Sequence, residues 1–140
     1  MSKEDIYFQL SNKLFEVFYV DDKKFGRQQK DGSYKLVKEK ISPVTIHDML
    51  LNQKSLLTYQ ELHIVGSALI KWICIDLDIE KKEIDKNEVN YDNLKFVKEA
   101  ADEVCSFLES IHISYLLEFS GRRGFHIWIV FDRLITKENG

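Results

Sequence analysis

Within residues 116–132, LLEFSGRRGFHIWIVFD, two apolar runs are separated by only Ser-Gly-Arg-Arg-Gly, so the chain has to reverse there and the runs have to pair as a hairpin. Upstream lie one strand-like run, WICIDLDI from Trp72, and one long helical stripe. In that stripe Leu94, Val97, Ala101, Val104, Leu108 and Ile111 share a face, from a cap at Asn90 or Asp92. The second half thus reads strand (about 70–79), helix (about 91–111), strand (about 114–120), strand (about 125–132). That order is the first four elements of a split βαβ, ferredoxin-like unit. In such a unit the third strand lies antiparallel between the first two, which brings Asp76 and Asp78 beside the glycine turn and His126. The period of two places both aspartates on one face and leaves Ile75, Leu77 and Ile79 for the helix to cover.

The first half is less decisive. Residues 4–18 fit a helix with Ile6, Leu10, Leu14 and Val17 on one side, yet LFEVFYV fits the start of a strand equally well. A hairpin across Asp31-Gly32-Ser33 follows, and Ser42-Pro43 supplies an N-cap and an N1 proline for a helix to about Leu51. The charged segment 80–88, EKKEIDKNE, reads as a surface connection.

At 140 residues and 44% hydrophobic, the chain has the apolar content for one ordinary core. With no run near the roughly 18 apolar residues of a membrane helix, and no basic-then-apolar leader, the reading is a cytoplasmic protein without a membrane partner. Cys74 and Cys105 lie in apolar segments as reduced core residues, and no Cys/His spacing suits zinc. A net charge of −3 excludes bulk electrostatic coating of nucleic acid. Locally, however, residues 23–40 carry Lys23, Lys24, Arg27, Lys30, Lys35, Lys38 and Lys40 against Asp31 and Glu39, with Phe25 and Tyr34 interleaved. This ribbon is either a nucleic-acid contact or a solvated hairpin face.

The chemistry follows from the residue types. Carboxylates at i and i+2 can share divalent cations, and oxygen donors favour Mg²⁺ or Mn²⁺. Glycines expose backbone N–H groups, and the adjacent guanidiniums of Arg122 and Arg123 repel each other until an anion sits beside them, which suits a polyphosphate. Ser120 and His126 add donors to phosphate oxygens. Glu118 shares their face as a supporting acid. His47, His63 and His112 have no matching neighbours and read as structural or exposed.

Asp76-Leu77-Asp78 resembles the first catalytic motif of the archaeo-eukaryotic primase superfamily. Ser120 to His126, SGRRGFH, closely resembles its second, the Ser-Gly-x-x-Gly-x-His signature. The Arg-Arg form with the following His126-Ile127-Trp128 strand is similar to replicative primase small subunits, and to primase-polymerase domains attached to mobile elements and CRISPR-type systems. The resemblance covers about residues 66–132. It implies an α/β fold, with an N-terminal α/β unit (1–65) beside a partial split-βαβ catalytic unit (66–140).

By this resemblance Asp76 and Asp78 bind the catalytic Mg²⁺ or Mn²⁺, while Ser120, Arg122, Arg123 and His126 hold the triphosphate of an incoming nucleoside triphosphate. The reaction implied is template-directed nucleotidyl transfer on single-stranded DNA or a primer-template, with the basic ribbon contacting template. The family's third motif, an aspartate on a further strand, has no counterpart up to Gly140. The expectation is therefore the N-terminal part of a longer primase-polymerase, with the Asp76–Asp78 strand left as a sheet edge. The alternative is a catalytically inactive nucleotide- or nucleic-acid-binding module.

Overall fold

A computed structural model describes residues 2–19, 24–58, 61–64, 66–80, 91–121 and 123–139. The chain is mixed α/β and divides into two compact units, one of Met1–Lys71 with Phe131–Gly140 and one of Trp72–Val130.

In the first unit, α1 (Lys3–Phe18) is started by a capping box: Ser2 Oγ accepts the Asp5 N–H at 3.1 Å and Asp5 returns a carboxylate oxygen to the Ser2 N–H at 2.9 Å. This cap settles the helix-or-strand ambiguity, and the helix runs through LFEVF. Its buried side differs from the expected stripe. Ser11 is fully buried, and Leu14 and Phe15 join the core, whereas Ile6 and Leu10 are exposed. Ser11 is tolerated inside because its hydroxyl donates to the Phe8 carbonyl at 2.8 Å.

Strands β1 (Phe25–Gln28) and β2 (Tyr34–Val37) form the expected hairpin, with Gly32 at φ 84° and Ser33 donating to Asp31. Those bonds, the hydroxyl's first, hold the Asp31 carboxyl below its ordinary range. Helix α2 (Pro43–Asn52) starts on Ser42, whose Oγ accepts the Thr45 N–H, and ends on Gln53 in the left-handed conformation. The short β3 (Leu56–Leu57) adds to β1, giving the order β2-β1-β3. Phe25, Ile41 and Ile46 are the buried centre of this unit.

Strand β4 (Glu61–Ile64) turns through Gly66, at φ 80°, into β5 (Ser67–Asp78). The second unit continues with α3 (Tyr91–Ser110), β6 (Leu116–Phe119) and β7 (Gly124–Thr136). Strand order is β4-β5-β7-β6. The edge expected for the aspartate strand is therefore corrected in part. β4 covers Ser67 to Ile70 of β5, and its pairing stops short of Asp76 and Asp78. The reason is local: a tight turn at Gly66 lets the preceding segment fold straight back on β5.

Helix α3 buries Ala101, Cys105 and Leu108. It ends at His112, whose φ of 59° is left-handed, and the Ile113 N–H returns to the Leu108 carbonyl at 2.9 Å. His112 is therefore a helix terminator. Of the two proposed caps for this helix, Asp92 lies inside its first turn and Asn90 lies outside the described residues, as do residues 81–88 of the expected connection. Phe125, Ile127 and Ile129 of β7 are buried, and Lys98 of α3 lies over the Phe125 ring, so this side of the strand faces the helix. His126 and Trp128 point the other way by the period of two. Both cysteines are free thiols. Among the described residues no helix is long and apolar enough to cross a membrane.

Candidate functional site

The turn between β6 and β7 closes on itself. The Ser120 N–H donates to the Gly124 carbonyl at 2.9 Å, and the Gly124 N–H donates back to Ser120 Oγ at 3.1 Å. Gly121 sits at φ 92°, where a side chain would be strained. Gly124 is needed for a different reason: its backbone lies so close to the end of β5 that a Cβ would fall 1.8 Å from the Leu77 carbonyl oxygen. The Ile79 N–H donates to the Arg123 carbonyl at 3.1 Å, so the end of β5 meets the beginning of β7.

That junction gathers the expected residues. Arg123 Nη2 lies 2.6 Å from Asp78 Oδ2, with the two side chains 31% and 27% exposed. His126 Nε2 lies 3.6 Å from Asp76 Oδ1, and Asp76 is 60% exposed. Ser120 stands at the same turn, its Oγ accepting the Gly124 N–H. Arg122 lies outside the described residues. Asp78, paired with Arg123, also borders a cleft of about 350 Å³ with Ile79, Glu80, Asn93, Phe96 and Val97, at the start of α3. Being the last residue of β5, it reaches the strand's end as well as its face.

Glu118 has a role that the sequence reading named only loosely. It is the direct cross-strand partner of His126. Its Oε2 lies 3.0 Å from His126 Nδ1 and accepts the Trp128 indole N–H at 2.7 Å. Glu118 thus holds the ring by its Nδ1 side, and Nε2 is the nitrogen turned toward Asp76. The signal was available: Glu118 and His126 are equidistant from the centre of the turn. Trp72 packs edge-on against Trp128 at 5.2 Å between centroids and walls this cluster on one side.

The electrostatics of the face are read from Cys74. Burial first, and then the negative charges of Asp76 and Glu118, push its thiol up to about 11, so it stays protonated at neutral pH. A cation would relieve that field. The donors present, carboxylate oxygens with room for water and phosphate oxygens, suit Mg²⁺ or Mn²⁺. Among the described residues no three His, Cys, Asp or Glu side chains form a ready-made metal cluster. No known family model matches this sequence, and no curated protein matches it at a significant level.

Proposed function

We propose that the Trp72–Val130 unit binds a metal-complexed nucleoside triphosphate and is the nucleotidyl-transfer part of a primase-polymerase of the archaeo-eukaryotic type. The observation that carries this reading is the meeting of Asp76, Asp78, Arg123 and His126 at one strand junction, since paired carboxylates beside a guanidinium and an imidazole suit a metal triphosphate. The succession of β5, α3, β6 and β7, with β7 central among the three strands, agrees with a split-βαβ catalytic unit. On this reading residues 1–65 form the accompanying N-terminal α/β unit.

Each side chain then has a task. Arg123 exchanges its carboxylate partner for a phosphate oxygen when the triphosphate enters, and Arg122 is its companion at the turn. Ser120 donates its hydroxyl to the same group. His126, held through Nδ1 by Glu118, presents Nε2 to the ligand. Asp76 and Asp78 hold the divalent ion, which when bound neutralises triphosphate charge and activates the attacking 3′-hydroxyl. Phe96 and Val97 give the cleft beside Asp78 an apolar wall for the sugar or base.

If the arginines grip the phosphates, Arg122→Ala or Arg123→Ala weakens nucleotide binding by about 1.5–3 kcal/mol, the scale of a charged hydrogen bond. Calorimetry with equal affinity in the double-alanine protein contradicts the role. A second reading, an inactive nucleotide- or nucleic-acid-binding module, is favoured by one observation: Asp78 is already neutralised by Arg123. The two readings share the binding step and part at transfer. We expect the 140-residue chain to bind a triphosphate in Mn²⁺ yet leave a primed template unextended. Extension by this chain would show that a further acid, such as Glu118 or Asp132, completes the metal shell.

A further inference from the structure

Strand β6, LLEF, is the outer strand of its sheet, and among the described residues β7 is its one neighbour. The Ser120 N–H on the Gly124 carbonyl marks those two as a hydrogen-bonded pair. Bonded pairs alternate along an antiparallel ladder, so Glu118–His126 and Leu116–Trp128 are bonded pairs as well. The N–H and C=O groups of Leu117 and Phe119 therefore point outward, away from β7. The Ile79 N–H on the Arg123 carbonyl agrees with this phase, because the odd-numbered residues of β7 are then the ones turned toward β5.

An open strand edge is a template for another strand, and proteins blunt such edges with lysine, proline or a bulge. β2, the outer strand of the other sheet, carries Lys35. β6 has neither lysine nor proline, and its register against β7 is unbroken. Leu116, Leu117 and Phe119 are 55%, 38% and 46% exposed, so apolar side chains stand out on both faces of the edge. The one charge of the strand, Glu118, is turned back across its own sheet to His126 and Trp128.

The order of the residues selects the occupant. A strand that pairs antiparallel with its own copy has a two-fold axis at one residue. An axis at Glu118 sets two carboxylates directly opposite each other, which is unfavourable. An axis at Leu116 sets Phe119 against Ile113, whose N–H is already given to the Leu108 carbonyl. An axis at Leu117 avoids both conflicts. The outward groups of Leu117 then meet those of the same residue in the second copy, Phe119 meets Tyr115, and Leu116 lies against the methylenes of Glu118. Aromatic and aliphatic cross-strand pairs of this kind stabilise antiparallel sheets.

We propose that β6 pairs antiparallel with β6 of a second copy of this chain about an axis at Leu117, joining two sheets edge to edge. The axis stands perpendicular to the sheet, so the Glu118–His126 faces of both copies lie on the same side. A contact of this length covers on the order of 1,000 Å² in total, the low end for specific interfaces, and the dimer forms reversibly. The proposal goes beyond the triphosphate reading and does not depend on it.

The test is sedimentation of the full chain, without nucleotide or metal, over a concentration series reaching about 0.5 mM, together with cysteine cross-linking under oxidised glutathione. The wild type should pass reversibly from monomer to dimer and no further. Leu117→Lys, which sets like charges on the axis, should weaken the dimer about tenfold or more. Leu117→Cys should cross-link to its copy, since paired residues there have Cα atoms about 5.5 Å apart. Phe119→Cys, comparably exposed, should not, because its copies are separated by four residues of strand, more than about 13 Å. A wild type that stays monomeric throughout overturns the proposal, and so do assemblies that grow past the dimer. Cross-linking through residue 119 as readily as through residue 117 overturns it as well, since random encounter would then explain both.

Discussion

Gly124→Ala is expected to destabilise the protein by at least about 3 kcal/mol, near the upper end for overpacking, because the atoms in the way are backbone. The added Cβ would lie 1.8 Å from the Leu77 carbonyl oxygen and 2.5 Å from Asp78 Oδ1. A side chain could rotate away. A strand carbonyl cannot. β5 and β7 would have to separate, straining the Ile79 N–H bond to the Arg123 carbonyl and drawing Asp78 from Arg123. Urea unfolding reads the loss directly, and triphosphate binding should fall with it. A change below about 1 kcal/mol would mean that the strands do not meet as closely as this junction requires. The second glycine of Ser-Gly-Arg-Arg-Gly is therefore a packing residue as well as a turn residue.

The hairpin was legible in the sequence because its turn chemistry is local. Ser120, Gly121 and Gly124 each meet a backbone demand within the turn itself or at the facing strand end. The placement of Asp76 beside His126 was legible too, since it needs only strand period and an antiparallel third strand. β4 was not. Between ELHI and SALI the break is a short one, Gly66 before Ser67, and the expected strand began near residue 70, where the observed one begins at Ser67. β7 likewise continues past Asp132 to Thr136: Asp132 and Arg133 interrupt the apolar alternation but remain in the strand as exposed residues.

The side of α1 that is buried follows from packing around Phe25 and Ile46, which helical periodicity within α1 cannot specify. The Asp78–Arg123 pair was the main feature of the site that spacing did not foretell. Spacing placed both groups at the same turn, but the choice of partner depends on which residue ends the strand. Asp78 does, and Asp76 stays on the open face beside His126.

Changing both aspartates, Asp76→Ala with Asp78→Ala, should shift triphosphate binding in opposite directions with and without metal. Without a divalent ion, the carboxylates repel the phosphates and Asp78 occupies Arg123, so their removal should tighten binding. With Mn²⁺ present the same removal takes away the groups that hold the ion, so binding should weaken by about tenfold or more, equivalent to about 1.4 kcal/mol. A structural defect would lower affinity under both conditions. Opposite signs in the two conditions separate a metal site from a damaged fold.

The central claim, that the carboxylates and the arginine turn form one metal–triphosphate site, is tested most directly by calorimetric titration of a nucleoside triphosphate into the wild-type chain and the double-alanine variant, each with and without Mn²⁺. The account predicts that Mn²⁺ tightens binding to the wild type about tenfold or more and leaves the variant unchanged. Equal tightening in both proteins, or none in the wild type, would contradict it.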